Sequence, residues 1–351
     1  MTETDTTSTA GAVVRPATLG SARTSGAVNF WASLGGLFTV SFVYLLIRWV
    51  LSSHFTAPDP GPDHYPYLWW LRTVEVASVL AVLGFGWFTV IRPWLRIRRV
   101  PFDGKLLLGL MIAYQVDPIL NYYNPSFLMN AHSVNLGAWA DGIPGYSSPA
   151  QGRMAEGFLW AMPLYMYFGL LAAIIGGRVL ARLGQRLPAA SNATLYTILF
   201  VLVIIGDFLV EFTALVYPQL YVFSGTPASL TLFAGRIYQF PVYHSVFAAV
   251  FAVMITWLRQ SRDATGVSAV ERGLDRLAVH HRLKGPLSFL AITGWATVSA
   301  LGYFLPFAWM SMQADSYPPL PSYLTTSAYC GQPGTPVCAS QYLKQLQNRG
   351  R

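Results

Sequence analysis

Two cysteines in 351 residues, and charged side chains held to 11% of the chain, exclude several protein classes at once. A scaffold stapled by many disulfides needs more cysteine than this. A soluble domain of ordinary composition carries about 25% charged residues. No HExxH, Cys/His ligand spacing, Walker loop or dinucleotide fingerprint occurs. Metal, ATP and nicotinamide chemistries therefore have no motif to rest on, and neither a metal nor a cofactor is expected. No internal repeat and no inverted symmetry of broken spans is evident, which weighs against a secondary transporter. The last apolar stretch, 286–310, has no lysine to form a Schiff base, so a seven-helix retinal protein is excluded. The first 27 residues are Ser, Thr, Ala and Gly with few charges, too polar to bury and too weakly apolar for a signal peptide. Residues 1–28 are expected to be a disordered cytoplasmic tail.

What is present is apolar. The chain is 54% hydrophobic and 15% aromatic, a composition for an integral membrane protein. Seven stretches approach the ~20 residues that cross a bilayer: 29–50, 73–91, 106–122, 155–177, 193–216, 237–258 and 286–310. The sequence therefore predicts an all-α, multi-pass protein of the cell membrane, a seven-helix domain over 29–310 with an extracytoplasmic tail over 311–351. With the N-terminus inside, 16 of the 23 Lys and Arg residues fall on the cytoplasmic side, as the positive-inside rule requires. The net charge of +8 is then an orientation signal, and nucleic acid is not an expected partner. Cys330 and Cys338 both fall in the tail that this topology places outside, where a disulfide would persist; two free thiols are the other reading. The stretch 261–283 places Val270, Leu274 and Leu277 at helical spacing among charges, and reads as an amphipathic helix on the inner surface. His280 and His281 within it read as a solvated face.

The third stretch carries the first chemistry. Asp117, Pro118 and Asn121, with Tyr122 next to them, sit together inside a span, where an ionisable group costs a few kcal/mol and by default marks a site. Pro118 frees the carbonyl of Tyr114, which is tolerable only beside protein or water. In the fifth stretch Asp207 and Glu211 are four apart and share a helical face. By helical rise, Asp117 and Asp207 each lie roughly 18 Å, and His244 roughly 22 Å, from the inner ends of their helices. All of them can share one layer. Arg236, Tyr238, Gln239 and Tyr243 join that layer from the outer ends, whereas Glu75 and Glu156, at span ends, read more as interfacial. Crowded buried carboxyls do not all ionise, so such a layer offers an acid and a carboxylate together. Asp117, Asp207 and Glu211 are the candidate catalytic residues. Asn121, Tyr122, Trp139, Glu156, Arg236, Tyr238, Gln239, Tyr243 and His244 are the candidate substrate-binding residues. The competing structural reading is an Arg236–carboxylate pair and interhelical hydrogen bonds that hold the bundle. The long loop 124–149, with Phe127, Trp139, Ile143 and Tyr146, reads as a lid over the cavity or as an aromatic belt.

Six blocks also resemble a known family. They are D-P-x-x-N-Y-Y at Asp117 to Tyr123, N-L-G-x-W at Asn135 to Trp139, I-P-G-Y at Ile143 to Tyr146, D-F-x-x-E at Asp207 to Glu211, L-F-A-G-x-x-Y-Q-F-P-x-Y at Leu232 to Tyr243, and V-E-R-G at Val270 to Gly273. In that order, over roughly residues 68–280, they resemble the AveC-type spirocyclase family of avermectin, milbemycin and meilingmycin biosynthesis. The resemblance implies a spiroketal-forming cyclase acting on a hydrophobic polyketide or macrolactone, and for some members an associated dehydration. A proton-coupled transporter or binding protein for an amphiphile is the alternative function.

Overall fold

The computed structural model describes residues 26–52, 55–148, 154–325 and 339–349. The N-terminal tail, as far as residue 25, and the Cys330–Cys338 pairing lie outside the described residues. Six helices are long and apolar enough to cross a membrane: α1 (Gly26–Val50), α2 (Leu68–Ile97), α4 (Ala161–Arg186), α5 (Asn192–Val216), α6 (Val242–Gln260) and α7 (His281–Ser311). These six suggest a membrane protein. Their outward faces carry large apolar side chains such as Leu37, Leu80, Val201 and Leu305, which water would not tolerate as one continuous surface.

The seventh expected span, 106–122, is not one of these. It is a 12-residue helix, α3 (Phe102–Ala113), which tightens into a 3₁₀ segment over Tyr114–Asn121. Pro118 sits in that segment. Its missing N–H cannot bond the Tyr114 carbonyl, and its ring would clash there in an α-turn, so the chain changes pitch. The segment runs through the middle of the bundle against α7, α4 and α1, and nearly all of it is buried. Protein and not lipid therefore surrounds its polar groups.

Helices α1 and α7 make the most extensive pairing, because glycines face each other across it. A Cβ on Gly35 would fall 1.8 Å from the Leu290 carbonyl oxygen, and one on Gly294 2.3 Å from that of Trp31. Small residues let two backbones touch, the usual device for helix pairs in membranes.

The all-α expectation needs one correction. Two short antiparallel sheets are present, β1 (Phe127–Met129) with β2 (Tyr221–Phe223), and β3 (Thr231–Leu232) with β4 (Phe240–Pro241). In the first, Phe127 faces Phe223 and Met129 faces Tyr221. This sheet joins the loop after α3 to the loop after α5, closing the bundle at one end. The C-terminal tail folds over the same end: Thr226 bridges Ser316, and Tyr342 donates to Asn124 at 3.1 Å.

The other end of the bundle is basic. There α3 and α6 are joined by Arg259, whose Nε and Nη2 donate to Asp103 at 2.9 and 3.0 Å. The stretch expected as an amphipathic helix, 261–283, is instead a series of turns with one-turn 3₁₀ pieces at Ala269–Glu271 and Leu274–Arg276. Two glycines break it, with φ of +83° at Gly266 and +92° at Gly273. The Asp263 carboxylate caps the first turn by accepting from Thr265 and Val267 N–H, a geometry that competes with helix. Those bonds outweigh desolvation and hold the Asp263 pKa below the usual range. Glu271 turns inward, accepts from Ser268 N and Oγ at 3.0 and 2.6 Å and from Ser288, and plugs the basic end.

Candidate functional site

Two groups of carboxyl-bearing residues, one buried and one half-buried, lie beneath the β1–β2 sheet. The first pairs Asp117, from the 3₁₀ segment, with Glu156, from the loop before α4. Asp117 lies at hydrogen-bonding range of Glu156 and of Tyr165 on α4, and the Tyr114 hydroxyl donates to Glu156 Oε1. Asp117 is 4% and Glu156 4% exposed, so neither has water to itself. Burial, and then the adjacent Asp117 carboxyl, push the pKa of Glu156 well above the usual carboxylate range. The pair lines a narrow cavity with Asn121, Met129, Ala138 and Tyr146. Its free space is about 10 Å³, room for about one water molecule.

The second group combines Asp207 and Glu211 on α5 with His244 in the first turn of α6. His244 Nε2 contacts Glu211 Oε2 directly. The same oxygen accepts from the Tyr221 hydroxyl at 2.6 Å, and His244 Nδ1 lies 3.0 Å from the Tyr303 hydroxyl. Phe223, Phe240 and Phe307 wall in the imidazole with ring centroids at 4.8, 5.5 and 5.9 Å. Asp207 Oδ2, sealed from solvent, has no hydrogen-bond partner among the described residues. Tyr165 and Tyr303 stand between the two groups, each within electrostatic reach of both.

The expected single layer is thus two centres joined by tyrosines. Asp207, Glu211 and His244 come together, while Asp117 pairs with Glu156, read from sequence as an interfacial residue. Other expected site residues are placed in the frame. Asn121 clamps Phe127, accepting from its N–H at 2.8 Å and donating to its carbonyl at 2.6 Å. Gln239 donates to the Phe223 carbonyl at 2.8 Å and accepts from Gly235 N–H at 3.0 Å. Trp139 donates to the Gln115 carbonyl at 2.8 Å and packs edge-on against Tyr114, and Tyr122 donates to the Pro144 carbonyl at 2.9 Å. Tyr238 packs with Phe212, Tyr217 and Phe233. Tyr243 is buried beside Phe307. Arg236 is exposed and does not reach the carboxyls, because the tight turn at Phe233 and Gly235, both at positive φ, carries it outward.

Four tyrosines, Tyr114, Tyr165, Tyr221 and Tyr303, were not expected from sequence. In a chain with 19 tyrosines no local pattern separates them from packing aromatics. Only the fold brings the first three hydroxyls to carboxyls and that of Tyr303 to His244.

A family model described as Spirocyclase AveC-like matches residues 97–324, more than half of the chain. The chain belongs to the AveC-like spirocyclase family. Both carboxyl centres and the sheet above them fall inside the matched region of this AveC-like protein, whereas α1 and most of α2 precede it. No curated protein and no solved structure matches the chain.

Proposed function

We propose that this AveC-like protein is a membrane-embedded spirocyclase that closes a dihydroxyketone polyketide into a spiroketal. Family membership supports the reaction class. The observation that carries the assignment of chemistry is the Asp117–Glu156 pair, two buried carboxyls on one cavity. One hydroxyl of the substrate closes on the ketone to a hemiketal, water leaves to give an oxocarbenium ion, and the second hydroxyl captures it. Glu156, held protonated by its surroundings, donates to the departing hydroxyl. Asp117 stabilises the cation as an anion and accepts the proton of the attacking hydroxyl. Asp207, Glu211 and His244 form a second charged centre that Tyr303 and Tyr165 couple to the first.

The cavity as it stands is far too small for a polyketide. Substrate entry therefore requires the 124–148 loop to part from the bundle, and its return excludes water and fixes which ring face is attacked. The segment 140–148 is the part proposed to move. It is held mainly by Tyr122, through Pro144, Ser147 and Ser148, whereas β1 and residues 130–135 are tied to the bundle by Asn121, by Leu220 and by the Glu75 carboxylate on Val134 N–H. An apolar lactone enters sideways from the bilayer.

The test is conversion of a dihydroxyketone by purified protein in detergent, with no ion gradient. A spirocyclase yields one spiro stereoisomer faster than buffer does. A protein that leaves the buffer mixture unchanged, yet moves the compound across a vesicle membrane, is a carrier.

A further inference from the structure

We propose that Asp207, Glu211 and His244 bind a divalent transition-metal cation, with Zn²⁺ the best fit. One ligand atom from each lies within 4.8 Å of the other two. Zn²⁺ bonds N and O ligands at about 2.0–2.2 Å, which sets ligand atoms roughly 3.3–3.5 Å apart in a tetrahedron. To take up the ion, His244 Nε2 and Glu211 Oε2, now in direct contact, part to admit it, and Asp207 completes the set from within 4.8 Å. Three protein ligands and one open position is the arrangement of catalytic zinc sites. The donor set of one imidazole and two carboxylates contains no sulfur and suits Zn²⁺ over Cu⁺ or an iron–sulfur cluster.

A further observation points to a missing occupant. Asp207 Oδ2 is sealed from solvent without a hydrogen bond, and a buried carboxylate oxygen is normally satisfied by donors or by a metal. Ser245, 1% exposed, is the one hydroxyl at hydrogen-bonding range of that carboxyl, and Oδ2 stays unmatched beside it. The surroundings match a metal site as well. With Nε2 on the cation, Nδ1–H of His244 donates to the Tyr303 oxygen 3.0 Å away, and the Tyr221 hydroxyl donates to Glu211 Oε2 at 2.6 Å. Such outer partners fix the tautomer and orientation of ligands. A cation here neutralises two carboxylates in a low-dielectric interior and supplies a Lewis acid to the tyrosine-linked network.

The experiment is metal analysis of the full-length protein purified in detergent, followed by chelation and Co²⁺ titration. About one Zn²⁺ per chain is expected to survive dialysis. Co²⁺ is expected to saturate at the same ratio, with visible bands of an N/O-ligated site. His244→Ala and the Asp207→Asn/Glu211→Gln double variant should lose both signals, while Asp117→Asn keeps them. Wild-type protein with metal well below a tenth of an equivalent and no saturable Co²⁺ spectrum overturns the site, as does a spectrum unchanged in the variants. The first of these readings is made on wild type, so a variant that fails to fold does not shield the proposal. Metal-free protein that still forms spiroketal overturns the cation site alone and leaves the spirocyclase reading standing.

Discussion

Burial governs Glu156, and its consequence is a pH dependence of stability. An exposed or unfolded glutamate titrates near 4.3, whereas in the fold burial and Asp117 raise the pKa of Glu156 well above its usual value. A carboxyl with a raised folded-state pKa favours the fold fully below the unfolded pKa, and that favour is lost as pH rises through the folded pKa. Thermal midpoints in detergent should therefore fall on going from about pH 4.3 upward until Glu156 has ionised. Glu156→Gln, which keeps the shape and has no proton to lose, should flatten that part of the profile. An identical slope in the variant would show that Glu156 is not the group responsible. At the same scale, Asn121→Ala removes both hydrogen bonds to Phe127 and leaves buried backbone groups unmatched. It should cost about 1–3 kcal/mol, read as a lowered unfolding midpoint. The i,i+4 pair Asp207 and Glu211 was legible in the sequence because helical spacing alone puts them on one face, and His244 followed from its depth. Glu156 was a candidate substrate-binding residue, but its depth, and the outward course of Arg236, were not legible, because each sits in a loop whose path is set by tertiary contacts, which no local spacing encodes.

At the scale of elements, the decisive feature is the change of pitch in the third transmembrane stretch. An α-helix continued past Ala113 would rotate Asp117 away from its present direction, so the 3₁₀ turns that Pro118 enforces are what aim Asp117 at Glu156 and Tyr165. The long hydrophobic runs made six helices legible, and Pro118 marked the third stretch as irregular. That this stretch would be the buried axis of the bundle was not legible, because hydropathy does not distinguish a lipid-facing helix from one enclosed by others. The turns of 261–283 were signalled by Asp263, Gly266 and Gly273, yet the period of Val270, Leu274 and Leu277 also fitted a helix. Turn chemistry won over periodicity. The α1–α7 crossing gives a prediction of its own. Gly294→Leu would drive a side chain into the Trp31 carbonyl, and should destabilise by at least the roughly 1–3 kcal/mol typical of overpacking. Gly36→Leu, where a Cβ meets nothing within 4 Å, should be neutral in the same thermal assay.

For the whole molecule, the fold separates a basic end, closed by Glu271 and the Arg259–Asp103 pair, from an end closed by the β1–β2 sheet, with both carboxyl centres near the latter. Placing the basic end in the cytoplasm follows from charge alone and is open to a direct check. In a background without Cys330 and Cys338, single cysteines at Arg98 or Asp263 should resist an impermeant thiol reagent in intact cells, while one at Ser147 should react. Labelling of Arg98 from outside would invert the topology and place the site near the cytoplasmic leaflet. The central claim is that the buried pair of Asp117 and Glu156 drives and steers cyclisation, and the most direct test is turnover with product stereochemistry for Asp117→Asn and Glu156→Gln. Both keep shape and hydrogen bonding while removing charge or proton. General acid–base catalysis contributes about 100- to 10,000-fold, so each variant should remain folded, lose turnover on that order, and drift toward the isomer mixture given by buffer. If both variants fold and cyclise at the parent rate with the parent stereochemistry, the pair is structural and the account of the chemistry is wrong.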